Sequence, residues 1–280
     1  PRRNMPPPVD SLALVALAMR LMCVGVFIQT LELLCHWREF PDRRLLGWQA
    51  SCGRFIGPTG KLVRLYRHPA AVIVLVVRAG ASAACLALPF ASMALPWLLG
   101  FLVASQAYYN HRFRVIHQGA DTMFLIGLAA VWVASLEPNE PRLRAASLVF
   151  LAFQVLLAYA MSGWDKLKSN RWRNAELLPL IVRDSAHHLA PLGDALAREK
   201  SFAFIASWSV ILLEFLFPLC LLLPQPAFLA VLIAGIAFHA VVSFTMGLHG
   251  FFWSFVGAYP GVYFVHAKLA AFMGAGSASS

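Results

Sequence analysis

Charge is what this 280-residue chain has least of. Only 13% of it is Asp, Glu, Lys or Arg, about half the share found in a soluble domain. That scarcity excludes an ordinary water-soluble fold, whereas in a bilayer lipid covers the apolar surface. Acidic residues are scarcer still, 13 against 23 Lys and Arg, for a formal charge of +10. The surplus does not point to a nucleic-acid partner. The basic residues lie in loops between apolar runs, where they orient membrane helices and meet anionic headgroups, so membrane lipids are the expected partners. Paired cysteine spacing is also missing. Cys23, Cys35, Cys52, Cys85 and Cys220 form no CxxC motif, which argues against a disulfide framework or a zinc site, and no metal is expected. Without a CxxCH motif there is no covalent haem attachment either.

What is present is hydrophobic, at 60% of residues. The expected fold is all-α, a polytopic transmembrane helical bundle in one unit from 11 to 267, with tails at 1–10 and 268–280. Stretches of ~20 apolar residues cross the hydrocarbon core. Eight candidate spans follow: Leu12–Leu34, Ala70–Phe90, Ala91–Tyr108, Thr122–Leu136, Ala145–Met161, Phe202–Leu223, Ala227–Met246 and Phe251–His266. Seven is the alternative count. Arg2-Arg3 precede the first run, which is too long for a signal peptide and lacks a small-residue cleavage site, so it reads as a retained span. Residues 36–68 and 168–200 read as short interfacial helices, the first with Trp37, Trp48 and Phe55 at headgroup level. With eight spans, most of the 23 Lys and Arg fall on the side holding residues 38–67, 112–114 and 166–200. That side is therefore expected to be cytoplasmic, with both termini outside.

Ionisable groups within spans face protein or water, and they pair. Arg20 and Glu32 lie on one span, about 18 Å apart at ~1.5 Å per residue, so each needs another partner. Arg20, Arg78, Glu214 and Asp121 either form buried ion pairs or line a polar cavity for a ligand headgroup. His239 lies in the seventh span and His249 follows it. Two such histidines can grip a haem iron, although a lone intramembrane His more often hydrogen-bonds to a neighbouring helix. His187-His188 read as solvated. Asn110-His111, His117, Asp121 and Lys166 are assigned to one membrane face. A desolvated Lys166 can serve as a general base; equally, it can snorkel to phosphates with Asp165 as counter-ion.

Together these motifs resemble the HTTM family, the horizontally transferred transmembrane domain. The residues that carry the likeness are Ala18-Met-Arg20-Leu-Met-Cys-Val-Gly25, Asn110-His111 and Gly119-Ala-Asp121. Tyr159 to Leu167 with Trp172, Phe238-His239 and Phe252-Trp253 complete it. The family includes the membrane part of vitamin K-dependent γ-glutamyl carboxylase and sporulation-delaying protein B. In the carboxylase, a lysine in a Gly-x-Lys-Lys-Leu sequence deprotonates vitamin K hydroquinone. The resemblance thus implies Lys166 as base, His111 as its hydrogen-bonding assistant, and Asn110, Asp121, Arg20, Arg78 and His239 around a reduced quinone. It also implies a bacterial inner-membrane location and a peptide substrate matured with partner membrane subunits, as in the short members. A non-catalytic anchor or scaffold is the contrasting expectation. It predicts Lys166 locked to Asp165 or facing phosphates, with the cavity closed by Trp164 and Phe153. A third is a quinone-reactive redox subunit like the DoxX group, which carries a similar Gly-x-x-Lys-Leu sequence and needs no His111.

Overall fold

The computed structural model describes residues 9–41, 43–44, 46–48, 63–113, 118–183 and 190–276. The expectations for Cys52, Phe55, His117 and His187-His188, and for residues 1–8 and 277–280 of the tails, lie outside the described residues.

The described chain is helical. In order, the helices are α1 (Ser11–Cys35), α2 (Val63–Tyr66), α3 (Ala70–Ala87), α4 (Leu95–Arg112), α5 (Gly119–Leu136) and α6 (Pro141–Lys168). Then follow α7 (Asn170–Arg173), α8 (Leu177–Arg183), α9 (Ala190–Arg198), α10 (Lys200–Leu216), α11 (Gln225–Met246), α12 (His249–Val256) and α13 (Tyr259–Gly276). A 3₁₀ segment, Phe217–Leu222, continues α10 past Pro218.

Local chemistry sets the helix ends. The Asp10 carboxylate accepts hydrogen bonds from the amides of Leu12 and Ala13 at the start of α1, occupying donors a helix leaves free. Gln118 and Asp121 cap α5 reciprocally. Gly247, at φ 70°, ends α11 in the left-handed conformation, which costs glycine least.

Six helices among the described residues are long and apolar enough to cross a membrane: α1, α3, α5, α6, α10 with its 3₁₀ extension, and α11. The chain is thus a multi-pass membrane protein by composition, and the other two of the eight expected spans are altered. Ala91–Tyr108 is displaced to α4, which ends in Asn110, His111 and Arg112. Phe251–His266 is broken between Val256 and Tyr259 into α12 and α13. Within residues 168–200, α7 to α9 are short helices, as expected. Trp37 is exposed, but Trp48 is buried with its ring 5.1 Å from Tyr66.

α1 packs chiefly on α3, α4 on α5, and α6 on both α10 and α13. Val15, Met19 and Met22 of α1, Phe124 and Leu128 of α5, and Leu151 and Val155 of α6 meet in one core. The closest approach that matters is at Gly163, where an added Cβ would run into the backbone of Phe215 on α10. Backbone cannot move aside as a flexible side chain can. Gly163→Val should therefore cost about 1–3 kcal/mol through overpacking, read as a drop in melting temperature in detergent. An unchanged melting temperature would show that α6 and α10 do not pack this closely.

Candidate functional site

The Gly163 contact lets two charges meet inside the bundle. Lys166 Nζ donates to Glu214 Oε2 at 2.6 Å and to Ser162 Oγ at 2.7 Å. Both side chains are mostly buried, 18% and 7% exposed. Lys166 leans back one turn along α6, the direction in which helical side chains tilt, and its ammonium also lies 5.2 Å from the Trp172 ring centroid. Asp165, next to it in sequence, is exposed. The expected Asp165 counter-ion is therefore replaced by Glu214, because neighbouring helical residues point about 100° apart and cannot share a face.

The pair lines a cavity of about 310 Å³ whose other walls are largely aromatic and aliphatic: Tyr159, Trp172, Leu178, Ile181, Phe238, Phe251 and Phe255 among them. Trp164 and Phe153 are exposed and do not line it. His239 opens onto the same cavity, 3% exposed, with both ring nitrogens lacking a hydrogen-bond partner among the described residues. Its ring lies 4.3 Å from that of Phe255 and 5.5 Å from that of Tyr159. Below them the Tyr159 and Tyr259 hydroxyls share a 2.6 Å hydrogen bond, and Tyr159 stacks on Phe217 at 3.9 Å. Gly235 leaves the room that the Tyr259 hydroxyl fills.

A second cluster is wholly polar. Arg78 is fully buried and donates to Gln29 Oε1 at 2.9 Å, to the Ser105 carbonyl at 3.3 Å and to Gln106 Oε1. Gln29 Nε2 in turn donates to Asp121 Oδ1 at 2.5 Å, so an amide bridges the guanidinium and the carboxylate. Asn110 Nδ2 donates to the Asp121 carbonyl at 3.1 Å. Beside them is a cavity of about 240 Å³ lined by Gln29, Glu32, His36, Tyr109, Asp121 and His249. There His249 lies 3.9 Å from Glu32 and shares a 2.7 Å hydrogen bond with Ser243.

Compared with known proteins, the chain matches no family model, no curated protein and no solved structure. Assignment of a role therefore rests on the geometry.

That geometry sorts the expected residues into groups. Lys166 and His239 share the aromatic cavity, whereas Asn110, Asp121 and Arg78 share the polar network. His111 lines neither cavity; its ring stands edge-on to Tyr66 at 5.4 Å. Nearby, burial pushes the Tyr66 phenol up from its ordinary pKa, opposed by the Arg112 guanidinium. Arg20 is exposed on α1, apart from both groups. His239 and His249 open onto different cavities, so the haem expectation does not hold for this pair. No group of three or more His, Cys, Asp or Glu able to hold a metal occurs among the described residues. Tyr159, Tyr259, Gln29 and Gln106 are additional site residues. Two glutamines inside apolar runs are the sequence signal for the last pair, since a polar side chain at membrane depth requires a partner.

Proposed function

We propose that this multi-pass membrane protein binds a lipid-soluble ring compound of the quinone class in the cavity walled by Lys166, Glu214 and His239. The observation that carries the reading is His239, buried among aromatic rings with two unsatisfied nitrogens and facing the same space as an ion pair. An unpaired buried polar group is costly, and a ligand oxygen would satisfy it. Flat apolar walls with a few convergent polar groups are the usual make-up of a small-molecule site.

A quinone-class compound bound there would present ring oxygens for which the Lys166 ammonium is a donor and, in its reduced form, ring hydroxyls for which the Glu214 carboxylate is an acceptor. Where the HTTM resemblance makes Lys166 a base, this reading makes it a donor to the ligand. Because His111 lines another part of the molecule, the geometry supports quinone binding better than a carboxylase-like pairing of Lys166 with His111. It also disfavours a pure scaffold, for which Lys166 would pair with Asp165 or face phosphates, with Trp164 and Phe153 closing the cavity. HTTM membership, a peptide substrate and a bacterial inner-membrane location belong to the same proposal.

The test is titration of decylubiquinone and its quinol into protein in nanodiscs, followed by tryptophan fluorescence, because Trp172 lines the cavity. Wild type should quench saturably, and His239→Phe should weaken binding at least about tenfold, roughly 1.4 kcal/mol. The same substitution should raise the stability of the empty protein by about 1 kcal/mol, since it removes unsatisfied buried nitrogens. Non-saturable quenching in wild type, or equal binding by wild type, His239→Phe and Lys166→Met, would overturn the proposal.

A further inference from the structure

Arg20 is the one residue of the apolar stretch from Leu12 to Ile28 that carries charge. It sits at the midpoint of that stretch, about 14 Å from the start of α1 at ~1.5 Å per residue. The core-facing side of α1 holds Val15, Met19, Met22 and Val26. Arg20 lies on the other side, in an exposed stripe with Ala13, Leu17 and Leu31. It makes no hydrogen bond or ion pair among the described residues. By contrast, Arg78 at membrane depth is fully enclosed by acceptors. A guanidinium facing the hydrocarbon is costly, and such groups are retained where they meet a partner.

We infer that the outer stripe of α1 is a docking surface for a membrane-spanning helix of another protein that carries a carboxylate at the depth of Arg20. Charge complementarity selects this occupant. A guanidinium and a carboxylate can neutralise one another through paired hydrogen bonds in a low-dielectric setting. The small Ala13 allows close helix approach on the same stripe. A second copy of this chain does not fit. Among the described residues within its long apolar helices, Asp121 and Glu214 are buried and already engaged. Glu32 and Asp165 lie in the last turns of α1 and α6, away from mid-span.

The experiment places a photo-crosslinking residue at Leu17 of the full chain in its native membranes, with and without Arg20→Leu. Leucine suits an exposed position on an apolar helix, so this variant should fold, and an unchanged melting temperature in detergent confirms it. The expected result is one protein adduct whose yield falls at least about tenfold in Arg20→Leu. The adduct's spanning helix should contain an Asp or Glu, and Arg20→Asp should regain the adduct when that acid is changed to Arg. Adducts with lipid alone would overturn the inference, since they mean that Arg20 reaches headgroup phosphates. It would likewise fall if the adduct were a dimer of this chain, or if its yield ignored Arg20→Leu or was not restored by the charge swap.

Discussion

Replacing Glu214 with Ala while Lys166 stays in place should lower the unfolding free energy by about 3 kcal/mol, because it strands an ammonium inside the bundle. The expected cost sits at the low end for a buried pair, since the Lys166 side chain keeps 18% of its exposure. Lys166→Met alone should cost a similar amount by stranding the carboxylate. The double variant, Lys166→Met with Glu214→Leu, should return close to wild type, because apolar residues of similar volume replace buried ion pairs well. Denaturation in mixed micelles measures all four corners of the cycle. If the two single variants match wild type, the pair is solvated and does not offer an enclosed donor and acceptor to a ligand. The double variant should also lose the quinone-class ligand while keeping its fold, which separates the pair's role in binding from its role in stability.

The second large effect is expected at Arg78. Its guanidinium is fully buried, bonded to Gln29, Gln106 and the Ser105 carbonyl, and 4.9 Å from the Tyr109 ring centroid. Arg78→Leu removes all of these donors and leaves the buried Gln29 and Gln106 amide oxygens short of one, at an expected cost of about 3–5 kcal/mol. Arg78→Lys should recover only part of this, because one ammonium cannot reproduce the planar fork that reaches several acceptors. A loss below about 1 kcal/mol for Arg78→Leu would mean that water satisfies the same acceptors. Quinone binding should survive in any of these variants that remain folded, since the network lines the other cavity.

The membrane-spanning helices were largely legible in the sequence, because apolar runs of sufficient length have few alternative readings. The two spans whose helices differ from the expected bounds were those in which length alone was deceptive. The run after Phe251 contains Gly257 and bends there into two helices, while the run after Ala91 starts late, at Leu95, with Pro96 in its first turn. Lys166 stood out as a charge closing an apolar helix, and Glu214 as a carboxylate within one. Their meeting was not visible, because 48 residues separate them and only the α6–α10 contact at Gly163 brings them together. Asp165 was the tempting partner by proximity in sequence, yet helical geometry turns it away from Lys166. His239 was visible as a histidine in a span. That its nitrogens go without partners among the described residues depends on Phe238, Phe255 and Tyr159 offering rings in place of acceptors.

The tyrosine pair near His239 has a consequence for position 235. The Tyr159 and Tyr259 hydroxyls meet against Gly235, and Tyr159 is backed by Phe217. Any side chain at 235 has to part the two phenols and shift Tyr159, a ring that walls the aromatic cavity. The smallest residue of α11 thus governs the shape of a chamber it does not itself line.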